Sequence, residues 1–375
     1  MKIAVNTRLL IKNKLDGIGW FTYETLRRIT VSHPEVEFYF LFDRTYDQSF
    51  VFGSNVTPII LNPQARHPLL FVVWFEWSVK RALKKIKPDL FLSPDGYLSL
   101  SSDIPSLAVM HDLNFEHFPN DLPWLVRWYY RYFFPRFAKK ATRLATVSEF
   151  SKSDIMNQYD MLAGKIDVIY NGVNESFTPI ENTEKEIVRN RFTGGCPYFI
   201  FVGSLHPRKN LVRLFGAFDQ FKKLTQSNIK LLIVGEKKWW TKEIESKFNE
   251  MTFKEEVVFC GRLRADDLHL ATASALATTY VSYFEGFGIP IIESFLCGVP
   301  VITSNITSMP EVAGGAALLV DPFDESSIAS AMALIAENQQ LRDDLIYKGF
   351  ERVKLFSWDN TSNQLWNSIL RTLEN

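Results

Sequence analysis

Short apolar runs alternating with amphipathic stretches are what most restrict the fold of this 375-residue chain. KIAVNTRLL (2–10), EFYFLF (37–42), PDLFL (88–92) and SLAVM (106–110) are brief and apolar, with helical patterns between them. Runs of that kind are strands buried on both faces, as in parallel sheets whose crossovers are helices. RLATVSEFSKSDI (143–155) continues the series as a strand and a helix that Ser148 or Ser151 can cap. KIDVIYNGVNESF (165–177) adds a strand ending at the turn Asn171-Gly172. From 178 to 195 the apolar periodicity lapses, as in a linker running into a short helix and a glycine turn. A second series then begins with YFIFVGSLHPRKNLVRLFGAF (198–218), IKLLIVG (229–235), VVFCG (257–261) and DLHLATASALATTYVS (267–282). The expectation is an α/β protein of two Rossmann-like doubly wound domains, 1–178 and 179–356, facing a cleft. A chain this long exceeds what one core serves comfortably. Helices are expected at 324–337 and 339–355, and SWDNTSNQLWNSILRTL (357–373) closes the chain as an amphipathic segment.

The densest stretch is 282–321. Glu285 and Glu293 lie eight apart with Gly286 and Gly288 between them, and Pro290 can open a helix. Gly298 and Pro300 punctuate that helix, and VITS (301–304) reads as a buried strand. A small-residue loop at a helix start offers free N–H groups and the positive end of the dipole, which suits phosphate. Carboxylates do not bind phosphate, so the two glutamates would accept hydrogen bonds from hydroxyls beside it. Phosphate with hydroxyls suggests a sugar nucleotide. The plainer alternative is an ordinary strand–loop–helix with surface glutamates.

Similar signals recur elsewhere. Gly17 and Gly19 stand in a glycine loop between the first strand and WFTYETLRRIT, a second phosphate-cradle pattern or a mere tight turn. His111 ends a parallel strand, where open α/β sheets bind ligands, unless Asp112 holds it in a structural role. Arg208 and Lys209 at a helix start reinforce the dipole for a polyanion, or are surface cations. KRALKKIK (80–87) has five cations and follows an aromatic run; 124–143 has six cations, no acid and eight aromatics. Basic and aromatic residues at helical spacing fit a peripheral contact with an anionic membrane, with Arg131, Arg136, Lys139 and Lys140 as contacts. A solvated helix with core aromatics is the alternative. The formal net charge of zero argues against nucleic acid as a partner. Cys196, Cys260 and Cys297 lack metal or disulfide spacing, and the first residues read as a strand broken by charges rather than a signal peptide. The expected location is the cytoplasm, at the inner face of the plasma membrane if the basic stretches touch it.

These motifs together resemble the family 4 retaining glycosyltransferases of the GT-B fold. The resemblance is carried by GIG at 17–19, HD at 111–112, TVSEFSKSDI, VIYNGV, VGSLHPRKNL and EGFGIPIIESFLCGVPVITSNITSMPEVAGGAALLVDP. The branch with GSL-x-PRKN and a terminal FSW is similar to bacterial mannosyltransferases that build O-antigen or other surface polysaccharides, as in lipopolysaccharide. The resemblance implies a nucleotide-diphosphate sugar donor, with GDP-mannose favoured and UDP-sugars open, and a glycan or lipid-linked glycan acceptor. Arg208 and Lys209 would neutralise the donor diphosphate, and Glu293 would bond the ribose. Glu285, with the amides of Phe287, Gly288 and Ile289 beside Gly286, would hold the donor sugar and phosphate. Gly17 and Gly19 would approach the diphosphate, and His111 the transferred sugar. The catalytic set would be His111, Glu285 and Lys209, with no cofactor and no metal. Many relatives carry Gly-Arg at Gly203-Ser204; here Ser204 stays a donor-side position and the cationic work rests on Arg208 and Lys209. The last helix would cross back to the N-terminal domain. Other GT-B enzymes, such as a sugar-nucleotide epimerase or a phosphorylase, and an inactive binding subunit are the rival readings. Ala at Glu285 or Lys209 is expected to abolish transfer without unfolding the chain.

Overall fold

The computed structural model describes residues 1–374. The central strands are short and buried on both faces, so each needs a helix on either side, and the chain supplies these by alternation. The first unit runs from Met1 to Gly172 and takes back the segment from Ser357 onward. Its elements are β1 (Lys2–Asn6), α1 (Gly17–Ser32), β2 (Glu37–Phe42), β3 (Val56–Ile60), α2 (Pro68–Val73), α3 (Lys80–Ile86), β4 (Leu90–Ser93) and β5 (Ser106–Val109). There follow α4 (Asn114–His117), α5 (Trp124–Lys140), β6 (Arg143–Thr146), α6 (Glu149–Tyr159) and β7 (Ile166–Val168). A π-helical turn, Trp74–Val79, joins α2 to α3 in one continuous rod. The seven strands are parallel, in the order β3-β2-β1-β4-β5-β6-β7.

The second unit, Val173–Phe356, holds α7 (Asn182–Thr193), β8 (Tyr198–Val202), α8 (Leu211–Thr225), β9 (Lys230–Val234), α9 (Lys242–Glu250), β10 (Val257–Gly261) and α10 (Ala265–Ala273). It continues with β11 (Ala277–Tyr280), α11 (Ile289–Leu296), β12 (Val301–Ser304), α12 (Met309–Ala313), β13 (Leu318–Val320), α13 (Glu325–Glu337) and α14 (Gln339–Val353). Its six parallel strands run β10-β9-β8-β11-β12-β13. In both units the chain winds one way from the first strand, then returns to that strand's other side. The reversal lies between β1 and β4 in one sheet and between β8 and β11 in the other. In doubly wound sheets that reversal opens a crevice at the carboxyl ends of the strands.

Two strands have little signal in the sequence. β3 contains Pro58, which weakens a strand pattern but is tolerated on an edge. β13 is three residues long and half-exposed. The stretch 178–195 carries α7, which packs on β9, β10 and α10 of its own unit.

The last helix, α15 (Trp358–Leu373), belongs to the first unit and lies against α1. Leu365 and Ile369 are fully buried, and the Trp366 and His33 rings stack at 3.7 Å. Thr361 Oγ1 donates to the Tyr170 carbonyl at 2.7 Å, and Ser368 Oγ donates to Asp167 Oδ2 at 2.6 Å. Gly172 makes this seat possible: a Cβ there would stand 2.4 Å from the Trp358 amide nitrogen. Gly172→Ala should therefore displace the start of α15 and cost about 1–3 kcal/mol, as overpacking usually does. A thermal melt should show a lowered Tm with faster proteolysis at the C-terminus; an unchanged melting curve would refute the close-approach argument.

Candidate active site

The reversal point of the second sheet carries a buried charge cluster. Arg208 and Lys209 follow β8, in a single 3-10 turn that ends at Asn210. Glu285 follows β11, the neighbouring parallel strand. Arg208 Nη1 meets Glu285 Oε2 at 2.7 Å, and Lys209 Nζ meets Glu285 Oε1 at 2.5 Å. Lys209 Nζ also donates to the Tyr280 hydroxyl at 2.7 Å, and Arg208 Nη1 to the Phe284 carbonyl at 3.0 Å. Asn210 is buried in the left-handed region, φ 64°, which an asparagine tolerates. Its Nδ2 donates to the Val281 and Pro322 carbonyls at 3.0 and 2.7 Å, so it ties the two loops together.

Burial alone would push the Glu285 carboxyl up. The nearby Arg208 and Lys209 charges and hydrogen bonds outweigh it and hold the pKa at about 2. His206 caps the same turn, its Nδ1 accepting from the Arg208 amide at 3.3 Å. Burial, and then the two cations, push its pKa down to about 4, so it stays neutral at physiological pH. The cluster of Arg208, Lys209 and Glu285 is left with one net positive charge.

The loop after Glu285 is shaped by Ser308, whose hydroxyl lies 2.9 and 3.0 Å from the Glu285 and Phe287 carbonyl oxygens. In a trans peptide the N–H points opposite the C=O. The amides of Gly286 and Gly288 therefore face away from Ser308. Gly288 sits at φ 108°, where a side chain would be strained, and caps α11 without a side-chain bond. The amides of Gly288 and Ile289 donate to no acceptor among the described residues. Pro290 occupies the first turn, where its missing N–H is harmless.

Glu293 lies one turn on in α11 and differs from Glu285. No donor meets its carboxylate among the described residues, and burial raises its pKa to about 7. Ser204 is exposed, its carbonyl accepting from the His206 amide at 2.8 Å. The described residues contain no group of three or more His, Cys, Asp or Glu that could hold a metal ion.

In the first unit, Gly17 and Gly19 are not a loop. They form the first turn of α1, and the Gly19 amide already donates to the capping Asp16 Oδ1 at 3.0 Å. Neither glycine has positive φ. A Cβ on Gly19 would stand 3.3 Å from the Leu9 carbonyl, so this residue lets the preceding loop pack on the helix. His111 lies just beyond β5, edge-on to Phe21 at 5.0 Å. Its Nε2 is 2.9 Å from the Pro94 carbonyl, and a carbonyl only accepts, so Nε2 carries the proton. Burial lowers its pKa, which leaves a neutral ring with Nδ1 as an acceptor. Asp112 does not hold the ring; its Oδ1 accepts from the Asn114 amide instead.

The residue signals did not point to Arg8 and Asp95. They follow β1 and β4 at the other sheet's reversal point, Arg8 Nε 2.7 Å from Asp95 Oδ2. Asn6 Nδ2 donates to Asp95 Oδ1 at 2.7 Å, and the guanidinium lies over Tyr97 at 4.3 Å. Each sheet thus carries an Arg–carboxylate pair where its winding reverses, buried in the first and with a half-buried Arg208 in the second. Tyr280 was likewise hidden, because a tyrosine ending an apolar strand has no local signature. Reading strand order first would have found all three.

The ion pairing revises the expectation that Glu285→Ala leaves stability intact, because it strands two cations in a buried site. Glu285→Ala should lose about 3 kcal/mol at neutral pH. The wild-type carboxyl is held below its ordinary 4.5, so its contribution is present above pH 4.5 and fades as the pH falls towards 2. Denaturant titrations at several pH values should show that acid slope in the wild type and its absence in the variant; equal slopes would exclude the ion-pair account.

Residues 15–177 match the family described as "Glycosyltransferase Family 4", and residues 182–352 match "Glycosyl transferases group 1". The O-antigen chain mannosyltransferase B of Escherichia coli is 28% identical, over 98% of this chain and 99% of its own. A sucrose-phosphate synthase of Thermosynechococcus elongatus superposes with a TM-score of 0.78 at 19% identity, covering 99% of this chain and 98% of that one. HepE of Anabaena, solved with UDP and glucose, gives a TM-score of 0.77 at 16% identity, covering 99% of this chain and all of its own (100%). Likenesses at that identity establish the two-domain architecture and nothing finer.

Proposed function

The chain belongs to the family 4 glycosyltransferases, with a group 1 domain as its second unit, and from that premise we propose that it moves a hexose, mannose first, from a nucleotide-diphosphate sugar. The acceptor in this proposal is a glycan or lipid-linked glycan of a cell-surface polysaccharide. The observation that carries the proposal is the cluster of net positive charge at the reversal of β8 and β11, beside the unoccupied amides that open α11. The mannose and polysaccharide assignments rest on the E. coli relative's name and its end-to-end match.

Glycosyl transfer builds positive charge on the sugar and negative charge on the departing diphosphate. Cations and helix N-termini fixed in advance against that negative charge lower the barrier, because nothing need reorganise as it develops. In this proposal Arg208, Lys209 and the amides of Gly288 and Ile289 receive the diphosphate. Glu285 fixes both cations and, in this proposal, accepts from a donor-sugar hydroxyl beside them. Glu293 accepts from the ribose hydroxyls. His111 Nδ1 accepts from a hydroxyl of the transferred sugar. The reaction retains configuration by same-face attack, with the donor phosphate taking the acceptor proton, and proceeds without a metal or cofactor.

The proposal extends to a peripheral contact with anionic lipid at the inner face of the plasma membrane. Trp124 and Trp128 on α5 are strongly exposed, while Tyr129, Phe134 and Phe137 of the same helix are core. No described helix is long and apolar enough to cross a membrane.

A thermal-shift and hydrolysis screen over nucleotide sugars should single out GDP-mannose, unaffected by EDTA. Preference for a UDP-sugar would replace the donor assignment. The empty Glu293 carboxyl is protonated below about pH 7, and a ribose diol needs it ionised. GDP affinity should therefore rise severalfold between pH 6 and 8, and Glu293→Gln should remove that rise. Calorimetry showing the same pH dependence in the variant would exclude Glu293 from the ribose.

A further inference from the structure

The lysine and arginine residues that decorate the first unit are used very differently on its two basic helices. On α5 and just after it, most cations already have partners. Arg127 donates to Asn120 Oδ1 at 2.8 Å, Arg131 pairs with Glu116 at 3.4 Å, and Arg136 lies over the Tyr132 ring at 3.6 Å. Lys140 pairs with Asp103 at 3.8 Å and Arg143 with Asp167 at 3.2 Å. On α3 the situation is reversed. The side chains of Lys80, Arg81, Lys84, Lys85 and Lys87 make no ion pair and no hydrogen bond among the described residues.

Two of these unpartnered cations stand over a hollow. A groove of about 640 Å³ runs between α3 and the edge of the sheet formed by β3 and β2. Arg81 and Lys85 line it, one helical turn apart, while Ile59, Leu61 and Ile86 form its apolar wall. Lys84, equally exposed on the same helix, does not line it. Trp77, four residues before Arg81, is 69% exposed and does not itself line the groove. The volume is that of an ordinary small-molecule site. A ligand that fits must be anionic at one end and apolar at the other.

We propose that this groove binds one anionic glycerophospholipid, its headgroup phosphate between Arg81 and Lys85 and its chain along Ile59, Leu61 and Ile86. The lipid is a discrete ligand of α3, and α5 contributes aromatic area rather than charge. Charge complementarity selects the occupant: Arg81 and Lys85 are unpaired, while the third lining cation, Lys2, lies 3.9 Å from Glu37, which also accepts from the lining Tyr39 hydroxyl at 2.7 Å. No carboxylate lines the groove itself, so a lipid without net negative charge leaves Arg81 and Lys85 uncompensated. The inference rests on the membrane-contact part of the proposed function only for where such a lipid is met, and not on the transferase chemistry.

The test uses the full chain and a short-chain phosphatidylglycerol, dihexanoyl, kept below its micellar concentration, so that no bilayer surface exists. Titration followed by intrinsic tryptophan fluorescence and NMR should give saturable binding. The double variant Arg81→Glu/Lys85→Glu should weaken it by about tenfold or more, given the usual worth of a cation beside an anionic headgroup. Lys84→Glu, the same charge change outside the groove, should weaken it by less than about twofold. Dihexanoyl phosphatidylcholine and inorganic phosphate should not saturate in that range. Equal losses in Lys84→Glu and in the groove variant would overturn the site, as diffuse attraction would then suffice. Absence of saturable binding to the wild type would overturn it too. A parallel partition onto phosphatidylglycerol vesicles separates the two ideas: vesicle binding lost on replacing Arg131, Arg136, Lys139 and Lys140 but kept in the groove variant preserves membrane contact and rejects the groove. Donor hydrolysis in solution should be unchanged in every α3 variant, since none touches the donor machinery.

Discussion

One carboxylate organises the second unit. Glu285 is buried between Arg208 and Lys209, and those three groups come from the loops after two neighbouring strands. Taking three charges from water costs several kcal/mol each, and only close, hydrogen-bonded geometry recovers it. That demand fixes the rest of the loops. Tyr280 must meet the lysine, Asn210 must bridge the two loops, and Ser308 must turn the Glu285 and Phe287 carbonyls inward. The outward-facing amides at the start of α11 are the consequence. A positive cluster and an amide cradle are thus one construction rather than two coincident features.

The first unit repeats the topology with different contents. Its reversal point holds Arg8 against Asp95, and His111 stands beyond the next strand with a fixed tautomer. Here the pair is neutral overall and enclosed by aromatic rings, so it stiffens the carboxyl edge without building a field for phosphate. The glycines at 17 and 19 serve packing at the start of α1, since their first-turn amide is already answered by Asp16. Of the two reversal points, the one in the second unit carries the net positive cluster.

Their surroundings also separate the two glutamates. Glu285 and Glu293 are both removed from water, yet one is held at about 2 and the other pushed to about 7. The difference is the presence of two cations beside the first and none beside the second. A carboxyl at rest without a partner is poised for a hydroxyl-bearing ligand; one already clamped is poised to hold other groups still. Spacing in sequence treats them alike, and their surroundings do not.

Much was legible from residues alone. The alternation of doubly buried strands with helices dictates parallel sheets, because such strands can be covered in no other way. The cradle before Pro290, the pair Arg208-Lys209 and the two glutamates were visible as local chemistry, and motif resemblance joined them to a glycosyltransferase. The sequence could not say that Glu285 binds both cations, since 76 residues separate Lys209 from it and only strand order brings them together. Nor could it reveal Arg8 with Asp95, for the same reason. The basic stretches 80–87 and 124–143 read alike as strings of cations, yet one is unpartnered and the other largely paired, because pairing depends on acids brought in by other elements, Glu116 from α4, Asp103 from a loop and Asp167 from β7. Local pattern determines which elements form. Partners across the sheet decide which side chains are free to act.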